Sequence, residues 1–334
     1  MFDKKLYQET FSSLHASEDV LVEVMNMTHK TRKHAKFSRR AASVAAVVAL
    51  CGVVTAAAAV GFLRYENPAA MLRALFGENV SSGSGIVEYD EDGRLMTNLP
   101  AWERVPVDET LAQELIAPYI FAVGESTVCG DYTLHVEALL YDAATRAGML
   151  YYTVENSNEV SGYEVFPDGV LWWPAEAPVF TRVQGSSRAY LDTAMSSETK
   201  LYICTYFIAD PTAENICVGI GSGEDRSKVN DISLELPGNV GIAGVELAGG
   251  AIRLSPVSIQ MDLASLGVDS DSIDSITLYY TDGSEYVVEN EADFVSNHTY
   301  ALIDQEGVTI TYTFNRIVDT NSIASVEING VTYA

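Results

Sequence analysis

Cysteine, histidine and basic side chains are all scarce in this sequence, and each shortage excludes something. Of the four cysteines among 334 residues, Cys51 lies in an apolar run, which leaves Cys129, Cys204 and Cys217. Three cannot form a disulfide framework; at most one bridge is available, and Cys204 with Cys217 is the natural pair because both neighbour strand-like segments. His15, His29 and His34 have no Cys or His partner at ligand spacing, and no CxxC pair exists, so no metal centre is expected. GxSxG, P-loop, HExxH and dinucleotide fingerprints are absent as well. The aspartates at 90 and 92 before Gly93, and at 269, 271 and 274, lack the spacing of a calcium loop and read as solvated turns. No enzyme and no cofactor are expected.

The shortage of bases is uneven. The chain holds 20 Lys+Arg against 46 Asp+Glu, yet residues 1–40 carry 8 bases and 5 acids, a net +3, and residues 64–334 carry a net −29. A field of that sign repels nucleic acid and anionic polymers, so no nucleic-acid partner is expected for the larger part.

The stretch from Ala41 to Leu63, AASVAAVVALCGVVTAAAAVGFL, has no charge and no proline over 23 residues. As a helix it would reach about 35 Å, enough to cross a hydrocarbon core. Lys30, Arg32, Lys33, Lys36, Arg39 and Arg40 stand just before it, whereas Arg64 alone follows before Glu66. Basic flanks stay inside, which predicts a single-pass helix at residues 41–63 in the cell membrane, with residues 1–40 cytoplasmic and the C-terminal part extracellular. Two other readings use the same residues: a buried core helix, and a cleaved signal ending at Ala56 to Ala59, whose n-region would be 40 residues long. The spacings Gly52 to Ala56 and Ala57 to Gly61 suit close packing against a twin helix, hence self-association.

Residues 1–40 show apolar positions at helical spacing. Leu6, Tyr7, Phe11 and Leu14 form one set and Val20, Leu21, Val24 and Met25 a second, with Ser17 as an N-cap before Glu18 and Asp19. Two short amphipathic helices follow, too small to make a core of their own. Their stripe has two available partners: the lipid of the inner leaflet, or a groove on a cytosolic protein reached by Tyr7, Phe11, Leu14, Leu21, Val24 and Met25.

Beyond the run, residues 64–118 read as a juxtamembrane helix from Asn67 to Gly77, a flexible joint at Ser81 to Gly85, a hairpin at Asp92-Gly93 and a second helix from Asp108 to Ile116. From there short strands dominate. Tyr132 to Tyr141 alternates, with Leu134, Val136, Ala138 and Leu140 on one face and Thr133, His135 and Glu137 on the other. Residues 119–237 and 238–334 each read as a β-sandwich, with Asp282-Gly283 and Asn329-Gly330 as hairpin tips and Pro167-Asp168-Gly169 as a turn. Of Trp172 and Trp173 only one indole can be exposed. Asn297-His298-Thr299 matches a glycosylation acceptor. The fold class is therefore mainly β after short N-terminal helices and one transmembrane helix.

Several stretches resemble a family of bacterial single-pass envelope proteins, best represented in Gram-positive organisms, whose outer region is a domain of unknown function. YQETFSSLHASEDVLVEVMNM with its basic cluster is similar to that family's cytoplasmic start. GDYTLHVEALLYDAATRAGMLYYTVEN is similar to its first outer β-domain, and IRLSPVSIQMDL, LYYTDGSEYVV and YTFNRIVDTNSIASVEINGVTYA to an immunoglobulin-like closing domain. The resemblance implies an anti-sigma-like regulator, with the stripe from Tyr7 to Met25 meeting a cytosolic sigma factor and the outer part meeting an unknown extracellular ligand. The zinc ligands of the zinc-dependent anti-sigma pattern are absent. A surface-anchored binding or adhesion module without a cytosolic partner is the rival expectation.

Overall fold

In the computed structural model, which describes residues 63–64, 68, 71–73, 81–238, 241–269, 272–304 and 307–334, the chain is mainly β, built from several antiparallel sheets. The partner-binding stripe, the basic cluster and the apolar run up to residue 62 lie outside the described residues. Among the described residues no helix is long and apolar enough to cross a membrane. Leu63, the last residue of the apolar run, is extended: β1 (Leu63–Arg64) pairs with Ala122 and Phe121.

Residues 81–118 form two small ribbons and a helix. β2 (Ser81–Gly83) pairs with β5 (Trp102–Arg104), and β3 (Ile86–Tyr89) with β4 (Leu95–Leu99) across the expected turn, where Gly93 takes a positive φ. The expected flexible joint, Ser81 to Gly85, is therefore a strand over its first three residues. Its glycines serve close approach: a Cβ at Gly83 would strike the Trp102 indole, and one at Gly85 the Phe294 ring. The helix α1 (Glu109–Leu115) is capped by Asp108, whose side chain accepts from the Leu111 amide.

A six-stranded sheet follows, in the order β1, β6 (Ile120–Cys129), β7 (Tyr132–Asp142), β8 (Ala147–Asn156), β13 (Lys200–Ile208), β12 (Ser186–Leu191). The connection from β8 to β12 carries the hairpin β9 (Glu164–Val165) with β10 (Leu171–Trp172), then β11 (Val179–Val183). β11 pairs with β14 (Asn215–Ser222), and β14 with β15 (Val229–Glu235), in a three-stranded sheet. Leu134, Leu150, Tyr152, Ile203 and Phe207 on one side of the large sheet share a core with Val179, Val218 and Ile232 of the small one. Tyr152 ties the two together, its hydroxyl lying 3.0 Å from Thr181 Oγ1 and 3.2 Å from Thr205 Oγ1.

The other face of the large sheet is buried too. Ala138, Leu140, Met149, Tyr151, Cys204 and Tyr206 pack with Met71, Leu72, Ala112 and Ile116 from the preceding segment and with Ile242 and Val257 from the following one. This corrects the expected single apolar face of β7. Its register slips between Val136 and Ala138, so Leu134 and Val136 point to the first core while Ala138 and Leu140 point to the second.

The remaining strands make two five-stranded sheets around a third core. One runs β16 (Val245–Leu247), β17 (Ile252–Ser255), β18 (Ser258–Asp262), β23 (Thr309–Phe314), β22 (His298–Ile303); a short helix, α2 (Leu263–Leu266), follows β18. The other runs β21 (Val295–Ser296), β20 (Glu285–Asn290), β19 (Ser275–Tyr280), β24 (Ile323–Ile328), β25 (Val331–Tyr333). Asp282-Gly283 and Asn329-Gly330 turn their hairpins as expected, with positive φ at Gly283, Asn329 and Gly330.

The anticipated Cys204–Cys217 bridge does not form; Cys129, Cys204 and Cys217 are all free. Cys204 points into the second core, away from the small sheet, and Cys217 alternates with the inward Ile216 and Val218, so the two thiols face apart. Burial, with Asp192 adding, pushes the Cys204 thiol well above its ordinary value. Asn297 is no accessible acceptor either. Its Oδ1 accepts from the Glu103 amide at 2.8 Å and its Nδ2 donates to the Val287 carbonyl at 2.9 Å.

Asp142, at 0% exposure, closes the seam between the large sheet and the last two. It accepts from Thr145 Oγ1 at 2.7 Å, and that hydroxyl lies 2.7 Å from Ser258 Oγ. Burial pushes its carboxyl up, opposed by the hydrogen bonds from Thr145, Ala144, Ser255 and Ile242. Because the folded protein then holds this proton more tightly than the unfolded chain, the contribution of Asp142 is fully present below the ordinary carboxylate value and is lost as pH rises through the raised one. Urea melts of Asp142→Asn should therefore improve relative to wild type as pH goes from about 4 to 7, and a pH-independent difference would count against a raised carboxyl. Leu150→Ala, which empties a site in the first core, should cost about 2–5 kcal/mol in the same melts.

Candidate functional site

A small open cleft lies where three stretches distant in sequence meet. β5 contributes Trp102 and Arg104, the turn before β10 and the strand β12 contribute Asp168, Arg188 and Tyr190, and β21, β22 and the residue after β23 contribute Ser296, His298, Thr299 and Asn315.

The turn at residues 166–169 places Asp168. Gly169, at φ 88°, folds back so that its amide donates to the Phe166 carbonyl at 2.8 Å, and the Asp168 carboxylate caps the Val170 amide at 3.2 Å. Arg188 Nη2 reaches Asp168 Oδ2 at 2.9 Å. Arg104 takes a different partner: Nη2 donates to the Asp168 carbonyl, and the guanidinium lies 5.0 Å from the Tyr190 ring centre and 5.8 Å from that of Trp102. Among the described residues no carboxylate pairs with Arg104.

Tyr190 anchors the floor. Its hydroxyl donates to the Thr299 carbonyl at 2.9 Å, and its ring meets Tyr206 edge-on at 5.5 Å. Burial pushes the phenol up to about 12, with Arg188 and Arg104 pulling back and Asp168 adding to the rise, so the group stays protonated and donating at neutral pH.

The acceptors around the cleft are already used. Asn315 Oδ1 receives Tyr286 Oη at 3.1 Å and Arg316 Nε at 3.2 Å, while its amide donates to the Glu103 carbonyl. Glu103 pairs with Arg316 at 3.4 Å, and Glu289 with His298 at 3.0 Å. Two donors are not used. Trp102 Nε1 is the one buried side-chain polar atom without a partner among the described residues, and Arg104 has N–H groups to spare beyond its single carbonyl. The site is rich in donors and short of acceptors.

A wider groove runs between β10, β11 and β12, and includes the exposed Trp172. As expected of consecutive strand residues, Trp172 is 53% exposed and Trp173 7%. The cations in that groove are occupied: Arg182 pairs with Asp231 at 2.8 Å, and Arg226 donates to the carbonyls of Trp173 and Pro174. Asp90 serves its own turn, accepting from the amides of Asp92 and Arg94 at 2.9 and 2.8 Å. His135 sits half-exposed with Ser126 Oγ 2.7 Å from its Nδ1. Among the described residues no group of three or more His, Cys, Asp and Glu side chains could hold a metal ion.

Of the cleft residues only Asp168, His298 and Thr299 carry a sequence signal, and that signal is a turn and a glycosylation acceptor rather than a site. Pro167-Asp168-Gly169 was legible as a turn, but nothing near Trp102 or Arg104 announces a partner some 64 to 86 positions away.

No family model and no curated protein matches the chain. Among solved structures, a conserved domain protein from Bacillus anthracis aligns at 13% identity over 62% of this chain and 76% of its own, with a TM-score of 0.33. The N-terminal periplasmic domain of ScsB from Proteus mirabilis aligns at 10% identity over 63% and 94%, with a TM-score of 0.20. Domains 4–9 of the surface layer protein SbsC align at 9% over 77% and 46%, with a TM-score of 0.17. With every TM-score below 0.5, these likenesses transfer neither a fold nor a role.

The Tyr190 to Thr299 hydrogen bond joins β12 to the last sheets, so Tyr190→Phe should lower stability by about 0.5–1.5 kcal/mol in urea melts while leaving circular dichroism unchanged. A neutral substitution would mean that this bond holds nothing.

Proposed function

We propose that this chain is a non-enzymatic single-pass membrane regulator of anti-sigma type, with residues 1–40 in the cytoplasm, the apolar run from residue 41 to 62 spanning the cell membrane and the β-structure, from Leu63 on, outside. The observation that carries the reading is the order of charge along the chain: a +3 stub ending in six closely spaced bases, an uncharged 23-residue run, then a body of net −29. Leu63, the last residue of that run, already belongs to strand β1 beside Ala122, so in this reading the spanning helix ends by residue 62. The paired antiparallel sheets, each pair around one core, support an immunoglobulin-like reading of both outer units.

In this reading Tyr7, Phe11, Leu14, Leu21, Val24 and Met25 hold a cytosolic sigma factor, the basic residues from Lys30 to Arg40 fix orientation at the lipid surface, and Gly52 and Gly61 allow the spanning helices to pair. A surface-binding module is the second reading, and the donor-rich cleft around Arg104 favours it.

Affinity purification of the full chain from its native cells separates the two. A sigma factor should co-purify and fall at least tenfold when Tyr7, Phe11 and Leu21 are changed to Asp, with membrane fractionation and outward exposure of the C-terminus unchanged. If replacing residues 1–29 by an unrelated sequence leaves cellular function intact, the regulator reading fails and the surface module stands.

A further inference from the structure

We propose that the cleft between Trp102, Arg104, Arg188 and Tyr190 is a binding site for a small monocarboxylate, of a size up to an N-acylated amino acid. The inference does not rest on the membrane reading; it rests on charge and hydrogen-bond balance within the cleft.

Two guanidinium groups line the cleft against one carboxylate, that of Asp168, which pairs with Arg188. Beyond the lining, Glu103 pairs with Arg316, and Glu289 lies 3.0 Å from His298. Arg104 is left over, a partly buried cation in a body of strongly negative charge, held by one carbonyl and two aromatic rings. A partly desolvated charge without a counter-ion is costly, and one anion removes the cost. Among the lining guanidinium and carboxylate groups, Arg104 and Arg188 against Asp168, the excess is a single positive charge, which matches a carboxylate and disfavours a phosphate dianion so close to Asp168.

Hydrogen bonding points the same way. Asp168, Asn297 and Asn315 already accept from protein donors, whereas Arg104 has N–H groups left over; the Trp102 indole, whose Nε1 has no acceptor, packs on Gly83 of β2. A carboxylate brings two oxygens and four lone-pair directions and no donor, the complement of this inventory. Arginine held between two rings presents a planar fork suited to a planar carboxylate. Leu99, Pro100 and the rings of Trp102 and Tyr190 also line the cleft and offer apolar surface to a short aliphatic stub.

The test uses the full chain in detergent at constant ionic strength, with tryptophan emission as the readout. N-acetylalanine should give a saturable change with a midpoint of roughly 1 mM, as suits a fragment-sized ligand, and N-acetylalaninamide, which lacks the charge, should give none. Arg104→Lys, which keeps the charge but loses the fork, should weaken binding about tenfold or more, and Arg188→Lys by less; unliganded thermal midpoints close to wild type show that both variants fold. The emission change should disappear in Trp102→Phe. Equal responses to the acid and the amide, saturation by inorganic phosphate alone, no saturation by either anion, or undiminished binding in a folded Arg104→Lys would each overturn the proposal. No outcome depends on a sigma factor or on topology, so failure here and failure of the regulator reading are separate results.

Discussion

Burial of the six-stranded sheet on both faces is the constraint from which most of the structure follows. A sheet with water on one side could be covered by a single partner layer, but this one needs two, and the chain supplies them from different stretches: the small sheet of β11, β14 and β15 on one face, the segment before β6 together with the segment after β15 on the other. Once both faces are dry, every polar group on them must find a partner. Tyr151, Tyr152 and Tyr190 accordingly send their hydroxyls to Asp192, to Thr181 and Thr205, and to the Thr299 carbonyl. The aromatic bodies fill volume, and the hydroxyls cross the seams.

This constraint also decides what was legible in the sequence. Local signals were readable where the cause is local: Asp92-Gly93, Asp282-Gly283 and Asn329-Gly330 need positive φ whatever surrounds them, and the opposed exposure of Trp172 and Trp173 follows from the pleat. The strand of β7 was readable as well. Its division between two cores was not, because the slip after Val136 is fixed by pairing with β8 and leaves no mark on the alternation of residue types. The glycines at 83 and 85 misled for the same reason. Glycine permits both a loose joint and a tight contact, and only the indole of Trp102 and the ring of Phe294, brought from elsewhere, decide for contact.

The cleft was illegible on stronger grounds. Its members are ordinary residues in ordinary strands, and its chemistry lies in a mismatch of counts: one cation more than its carboxylates, and donors without acceptors. Such a surplus exists only after the fold has paired everything else, as Glu103 is paired with Arg316 and Asn315 with Tyr286. Composition hid it further, since in a body so rich in acids a lone arginine would be expected to have a carboxylate nearby. The segment from residue 81 to 104 thus does two jobs. It runs along the edge strand at Val295, with Ala101 exchanging backbone hydrogen bonds with Phe294 and Ser296, and it carries Arg104 to a cleft lined from both larger β-units.

The burial of Asn297 has a practical meaning for making the protein. In a eukaryotic secretory host the tripeptide at residues 297–299 is an acceptor only while the chain is unfolded, because in the native state the amide is occupied at both ends by Glu103 and Val287. A sugar attached there would prevent those bonds from forming. Glycan occupancy therefore records the order of two events in each molecule, modification and closure of the β20 to β22 corner. Sorting the product by that mass difference would separate chains that folded promptly from chains that lingered open.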